Sequence, residues 1–61
     1  MDENIVKMFL EKKVNLVYSS LDEDVEAEGI VILVLEKCLV LKSIDDSFLA
    51  IDLDMIRKIE G

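Results

Sequence analysis

The residues that could carry out nucleophilic chemistry lack the base that would activate them. The chain has one cysteine, Cys38, a few serines and no histidine. A hydroxyl or thiol nucleophile needs a neighbouring base to take its proton, and histidine is the usual one. The composition therefore argues against an enzyme, and we expect Cys38 to pack as a small apolar residue beside a strand.

Two groups of carboxylates could instead bind a cation. Asp22, Glu23 and Asp24 are consecutive in a polar segment, which we interpret as a solvated turn. Asp52 and Asp54 are two residues apart, a spacing that places both side chains on one face of a strand. Neither group has the ligand number and glycine spacing of an EF-hand loop. We predict no metal site and no cofactor, and leave open whether Asp52 and Asp54 meet a cation or the basic residues of a neighbouring subunit.

The charge balance and the aromatic residues bear on the choice of partner. The chain has 14 acidic residues against 7 Lys and Arg, a formal charge of −7. Binding to nucleic acid or anionic lipid depends on cations that neutralise phosphates, so this balance disfavours such binding. Phe9, Tyr18 and Phe48 are too few for a base-stacking platform. We expect Phe9 and Tyr18 in the core and Phe48 at an interface between subunits.

Size and composition favour self-assembly. A chain of 61 residues holds one domain with a small core, and a single cysteine offers no disulfide to reinforce it. Because 52% of the residues are hydrophobic, we expect a homo-oligomer that buries more of them, with no small-molecule substrate. The acidic N-terminus lacks the pattern of a secretory signal, and the longest apolar run, residues 30–35, is too short for a bilayer. We therefore predict a cytoplasmic location without membrane association.

The hydrophobic spacing predicts one helix followed by five short strands. Residues 2–12 have the three- and four-residue apolar spacing of a helix, and alternation begins at Lys13. The unbroken run at residues 30–35 predicts a strand buried on both faces, covered by the helix or by a neighbouring subunit. Gly29, just before that run, marks a bend or bulge. The predicted strands are about 13–18, 25–35, 38–44, 48–52 and 56–59.

Three segments suggest a family. They are Lys13-Val14-Asn15-Leu16-Val17, then Glu28-Gly29-Ile30-Val31 with Leu39-Val40-Leu41, and finally Ile51-Asp52-Leu53-Asp54-Met55-Ile56. Through these segments the chain resembles the Sm-like family over nearly its whole length, although SH3-like barrels show similar patterns. The resemblance implies a mainly β domain over residues 1–61, with a helix at about 2–12 and a strongly bent, five-stranded antiparallel barrel at about 13–60. It also implies rings that close through the fourth and fifth strands, and association with RNA.

The resemblance also assigns site residues. Cys38 stands where the family has an RNA-binding Asn, and Asp52 and Leu53 stand where it has an Arg-Gly pair. Asp52 replaces a phosphate-facing cation with an anion, and Leu53 removes a glycine that allows close backbone approach. Two interpretations stay open: an Sm-like homo-oligomeric scaffold, with RNA association implied by resemblance alone, and an SH3-like adaptor that binds a protein partner. The predicted oligomer interface comprises Phe48, Ala50, Asp52, Ile56, Arg57 and Ile59.

Overall fold

The computed structural model describes all residues, Met1–Gly61. It contains one short helix and five antiparallel strands in a single sheet, so the predicted mainly β fold is confirmed. A 3-10 turn, Leu53–Met55, separates the last two strands. The elements are α1 Glu3–Lys7, β1 Lys13–Ser20, β2 Glu23–Val34, β3 Cys38–Lys42, β4 Phe48–Asp52 and β5 Ile56–Glu60.

Helix α1 is shorter than the predicted helix over residues 2–12. Asp2 caps it by accepting a hydrogen bond from the backbone N–H of Asn4 at 2.9 Å. After the helix the chain turns, and Glu11 adopts a positive φ of 65°. The Glu11 N–H then donates to the Val31 carbonyl at 2.7 Å, and the Val31 N–H donates to the Lys12 carbonyl at 3.2 Å. Pairing with β2 therefore replaces the last turns of the predicted helix.

The sheet is open but strongly curled. Its strand order is β4-β3-β2-β1-β5, so β4 and β5 lie at opposite edges and the predicted barrel is not closed. Only the turn Leu53–Met55 joins these two edges. An extended chain covers at most about 3.6 Å per residue, so Asp52 and Ile56 lie within about 14 Å of each other. The edges of a flat five-stranded sheet would be about 19 Å apart, so the sheet must curl at this corner.

The core fills the concave side of the curled sheet. Leu53 and Ile56 close it at the corner where β4 leads into β5, and α1 contributes Val6. Phe9 and Tyr18, which were predicted in the core, are partly buried and pack against it. The nine buried core residues are Val6, Val14, Leu16, Val31, Leu39, Leu41, Ile51, Leu53 and Ile56.

Within this chain the second strand is buried on one face only, so the helix does not cover residues 30–35. Cover by a neighbouring subunit, the other alternative, stays a prediction. Val31 is fully buried, whereas Ile30 and Leu33 are 43% and 47% exposed. The register shifts between Val31 and Leu33, so Ile32 is the extra residue of a bulge, three residues after Gly29. A Cβ on Gly29 would lie 2.4 Å from the Lys42 carbonyl oxygen, so this glycine permits the close approach of β3.

Candidate interaction site

The two outermost strands of the sheet each have one unpaired edge. β4 pairs only with β3, and β5 pairs only with β1. Backbone N–H and C=O groups along a free edge can pair with another chain. Each strand has five residues. β4 carries the anion Asp52 and no cation, whereas β5 carries Arg57 and Lys58 against one anion, Glu60. The edges thus match in length and differ in charge.

Most of the predicted interface residues lie on the surface. Phe48 is 65% exposed, and Ala50, Asp52 and Arg57 are also exposed. The prediction for Ile56 is corrected, because this residue is only 6% exposed and belongs to the core. Ile59 is half-buried and packs against the core.

A bulge in β5 explains why both isoleucines face inward. Tyr18 of β1 lies opposite Ile56, but its neighbour Val17 lies opposite Lys58, so Arg57 is the extra residue. Residues three apart in a regular strand point to opposite faces, and the extra residue returns Ile59 to the face of Ile56. The interface itself stays a prediction, now limited to the exposed residues.

The three positions assigned to RNA by resemblance meet at one corner of the sheet. Cys38 lies opposite Asp52 across β3 and β4, and the Leu53 N–H donates to the Lys37 carbonyl at 2.9 Å. The Leu53 side chain is buried, and its carbonyl accepts a hydrogen bond from the Met1 ammonium at 3.0 Å. The corner therefore offers a half-buried thiol, which is a weak donor, and an exposed carboxylate, but no cationic side chain from these three positions.

The carboxylates of Asp52 and Asp54 do not share a strand face, so that prediction is wrong. β4 ends at Asp52, and Asp54 lies in the 3-10 turn that follows. The Asp54 N–H donates to Asp52 Oδ1 at 2.9 Å, so Asp52 caps the turn. No group of three or more His, Cys, Asp or Glu side chains is arranged to hold a metal ion.

Two exposed ionisable groups have shifted pKa values. Hydrogen bonds from the Ser47 hydroxyl at 2.6 Å and the Ser47 N–H at 3.2 Å lower the pKa of Asp45 below 3.8. A hydrogen bond to Glu60 at 2.7 Å, together with its charge, raises the pKa of Lys58 above 10.5. Stabilisation by Asp45 is therefore lost only in acid, and that by Lys58 only in alkali. Neither group is tuned for acid–base catalysis near neutral pH.

A further surface extends the second apolar face predicted for residues 30–35 across the neighbouring strands. We call it the outer face: the side of residues 30–34 of β2, of β3 and of β4 that points away from the core. It is mostly apolar and uncovered, and the unbroken apolar run at residues 30–35 was the sequence signal for it. Its apolar residues are Ile30, Leu33, Val40, Phe48 and Ala50.

The comparisons leave function to be argued from this geometry. Searches against protein-family models, curated proteins and solved structures found no match to this chain. None of its helices has the length and apolar character needed to cross a bilayer.

Proposed function

We propose that this chain is a non-catalytic, Sm-like scaffold that assembles with copies of itself through its two free sheet edges. The observation that carries the proposal is an open sheet whose two unpaired edges have equal length and opposite charge. Unprotected edges are a liability for a monomer, and pairing between copies removes it.

The geometry favours a closed ring. When β4 of one copy pairs with β5 of the next, the same contact repeats head to tail, and such contacts form either rings or open filaments. The curl that brings Asp52 and Ile56 within about 14 Å of each other turns each added copy by the same angle. This repeated turn favours closure.

Both charge and apolar surface support the edge contact. Pairing places Asp52 of one copy near Arg57 and Lys58 of the next, where the attraction gives orientation and specificity. Phe48 is 65% exposed beside the edge, and covering the remainder of its side chain would stabilise the assembly by about 1–2 kcal/mol.

Reversing the charge of β5 is expected to break the assembly. The double substitution Arg57→Glu and Lys58→Glu places two anions opposite the acidic edge of β4. Native mass spectrometry at micromolar concentration should then show smaller species than the wild-type chain gives.

The matched control is Lys12→Glu with Lys13→Glu, at exposed positions away from both edges. Each pair of substitutions changes the formal charge from −7 to −11, because two cations become two anions. The control variant should keep the wild-type subunit number. A wild-type chain that is monomeric at this concentration would contradict the scaffold and favour the SH3-like adaptor.

Association with uridine-rich RNA rests on the resemblance, supported by the meeting of Cys38, Asp52 and Leu53 at one corner. If the pocket framework persists there, Asp52→Arg should raise affinity for a uridine-rich oligonucleotide about tenfold over wild type, because it restores a phosphate-facing cation. Fluorescence anisotropy at low salt measures this change. Leu53 is left intact because its side chain is part of the core.

Asp54→Arg is the control, with the same charge change two residues away. If both variants gain the same affinity for the oligonucleotide, the added cations attract phosphates in general and there is no specific RNA site at the corner. No binding by either variant would remove RNA from the proposal and leave the scaffold in place. Thermal melts check the stability of Asp52→Arg, which loses the cap on the 3-10 turn.

A further inference from the structure

The outer face has an apolar centre with one charge on each side. Leu33, Val40 and Ala50 lie side by side across β2, β3 and β4 and form the central row. Lys42 lies in the row on one side of this centre. Asp52, opposite Cys38, lies in the row on the other side.

The two charges lie at equal distances from the centre. Along β3, Lys42 follows Val40 by two residues and Cys38 precedes it by two, which is about 6.6 Å each way. Lys42 pairs with Asp46 at 3.3 Å, but both side chains are exposed, and such a pair is weak and readily exchanged. Within the outer face these two charges are therefore antisymmetric about Val40, with the cation on one side and the anion on the other. Glu28, the next outward residue of β2 beyond Ile30, pairs with Lys13 at 2.9 Å.

We infer that the outer face packs against the outer face of a second copy, about a two-fold axis that passes beside Val40 and runs across the strands. This axis places β3 on β3 of the partner copy in the opposite direction. Lys42 of each copy then lies over the row of Cys38 and Asp52 in the other, and the central rows meet. A two-fold axis along β3 would instead place Lys42 of one copy opposite Lys42 of the other, where the two cations repel.

The charge pattern favours a second copy over an unrelated partner. When two identical faces are related by a two-fold axis, the cation of each copy must meet an anion of the other copy. Each copy must therefore supply both charges, and the outer face does. Sheets that pack face to face bury alternating apolar residues such as Leu33 and Ala50 about 10 Å from the facing sheet. The nine-residue core of this chain lies on the other side of the sheet, so the chain itself supplies no facing sheet for the outer face.

The contact is small and therefore weak when two copies meet alone. Three strands by five residues span roughly 240 Å², and the contact covers at most this area because the outer face is the convex side of the curled sheet. A specific, stable interface buries about 800 Å² per partner. The face points away from the sheet plane, so this contact does not depend on the edge pairing proposed above. It gains strength where several copies are already joined.

Crosslinking tests the contact. In a Cys38→Ser background, Val40→Cys should give covalent dimers with a short bismaleimide, because the two thiols face each other near the axis. Edge pairing alone would separate these positions by five strand spacings, about 24 Å along the sheet. The native chain is the matched control, since its two Cys38 thiols would be offset by about 13 Å along the strands. It should give far less dimer.

Two further substitutions in the crosslinking chain test the packing and the charges. Ala50→Glu buries an unpaired anion and should lower dimer yield about tenfold. Leu21→Glu, at a residue 96% exposed in the turn between β1 and β2, adds the same charge and should leave the yield unchanged. Lys42→Asp should lower the yield, and combining it with Asp52→Lys should restore it.

A yield that persists in Ala50→Glu, or that matches the yield from Cys38 in the native chain, would overturn the inference. Failure to recover yield in the charge-exchanged chain would overturn the proposed axis. The edge variant, Arg57→Glu with Lys58→Glu, should lose the larger assembly. It should still give more crosslink through Val40→Cys than through native Cys38, at a lower yield overall because the contact is weak between two separate copies. The two proposals can therefore fail separately.

Discussion

Replacing Gly29 with alanine is expected to lower the free energy of unfolding by about 3 kcal/mol. A Cβ at this position would lie 2.4 Å from the Lys42 carbonyl oxygen and 3.0 Å from Leu41 Cγ. The carbonyl belongs to the backbone of β3, which pairs with β2 at Ile30, so it cannot rotate away as a side chain would. The strands must separate, and the pairing on both sides weakens.

The loss is large relative to the whole stability of a domain this small. At roughly 0.05–0.15 kcal/mol per residue, a domain of 61 residues has about 3–9 kcal/mol to lose. Urea denaturation followed by circular dichroism measures the change. Gly61→Ala is the control, since its Cβ would meet only the ring of Phe9, at 3.1 and 3.3 Å, and should change stability by less than about 0.5 kcal/mol. Similar midpoints for the two variants would contradict the role assigned to Gly29.

The strands were predictable where local alternation and turn chemistry decide the structure. β4 has the predicted bounds, Phe48–Asp52, because a polar turn precedes it and its side chains alternate between core and solvent. β1 begins at Lys13, where the apolar period changes from helical to alternating. These features depend on residues close in sequence, so the spacing of apolar and polar residues is enough to predict them.

The sequence predictions were wrong where the structure depends on more than the local residue pattern. Met8 and Leu10 fit the helical period, but the chain leaves the helix after Lys7 because residues 10–12 pair with β2. The alternation through Asp52 and Asp54 suggested one strand, yet a 3-10 turn interrupts it. The inward orientation of Ile59 was missed because the bulge at Arg57, which returns Ile59 to the face of Ile56, cannot be seen in the residue types.

Whether the sheet closes into a barrel could not be predicted from the sequence, because closure also depends on contacts between distant segments. Alternation specifies which side chains face the core, but an open, curled sheet and a closed barrel bury the same alternate residues. What distinguishes them is whether β4 and β5 pair with each other, and here they do not. Cys38, Asp52 and Leu53, the positions that the resemblance assigns to RNA, do come together, but the burial of Leu53 depends on the turn that follows β4.

The stability lost on truncating a leucine to alanine should be larger in the core than on the outer face. Leu39 is fully buried, opposite Val34 and Ile51, and Leu39→Ala should lower the free energy of unfolding by about 2–5 kcal/mol through the cavity it leaves. Leu33→Ala removes the same atoms from the outer face, where the side chain is 47% exposed. In dilute protein it should cost less than about 1 kcal/mol.

Protein concentration then reveals whether the outer face is covered. Contacts between copies stabilise the folded state more as concentration rises, so the cost of Leu33→Ala should grow with concentration while that of Leu39→Ala stays constant. Urea melts at low and high micromolar concentration measure both costs. A cost for Leu33→Ala that matches Leu39→Ala in dilute protein would mean that β2 is covered within its own chain. A small cost that does not rise with concentration would leave the outer face solvated, because removing atoms from a surface that meets only water changes stability little.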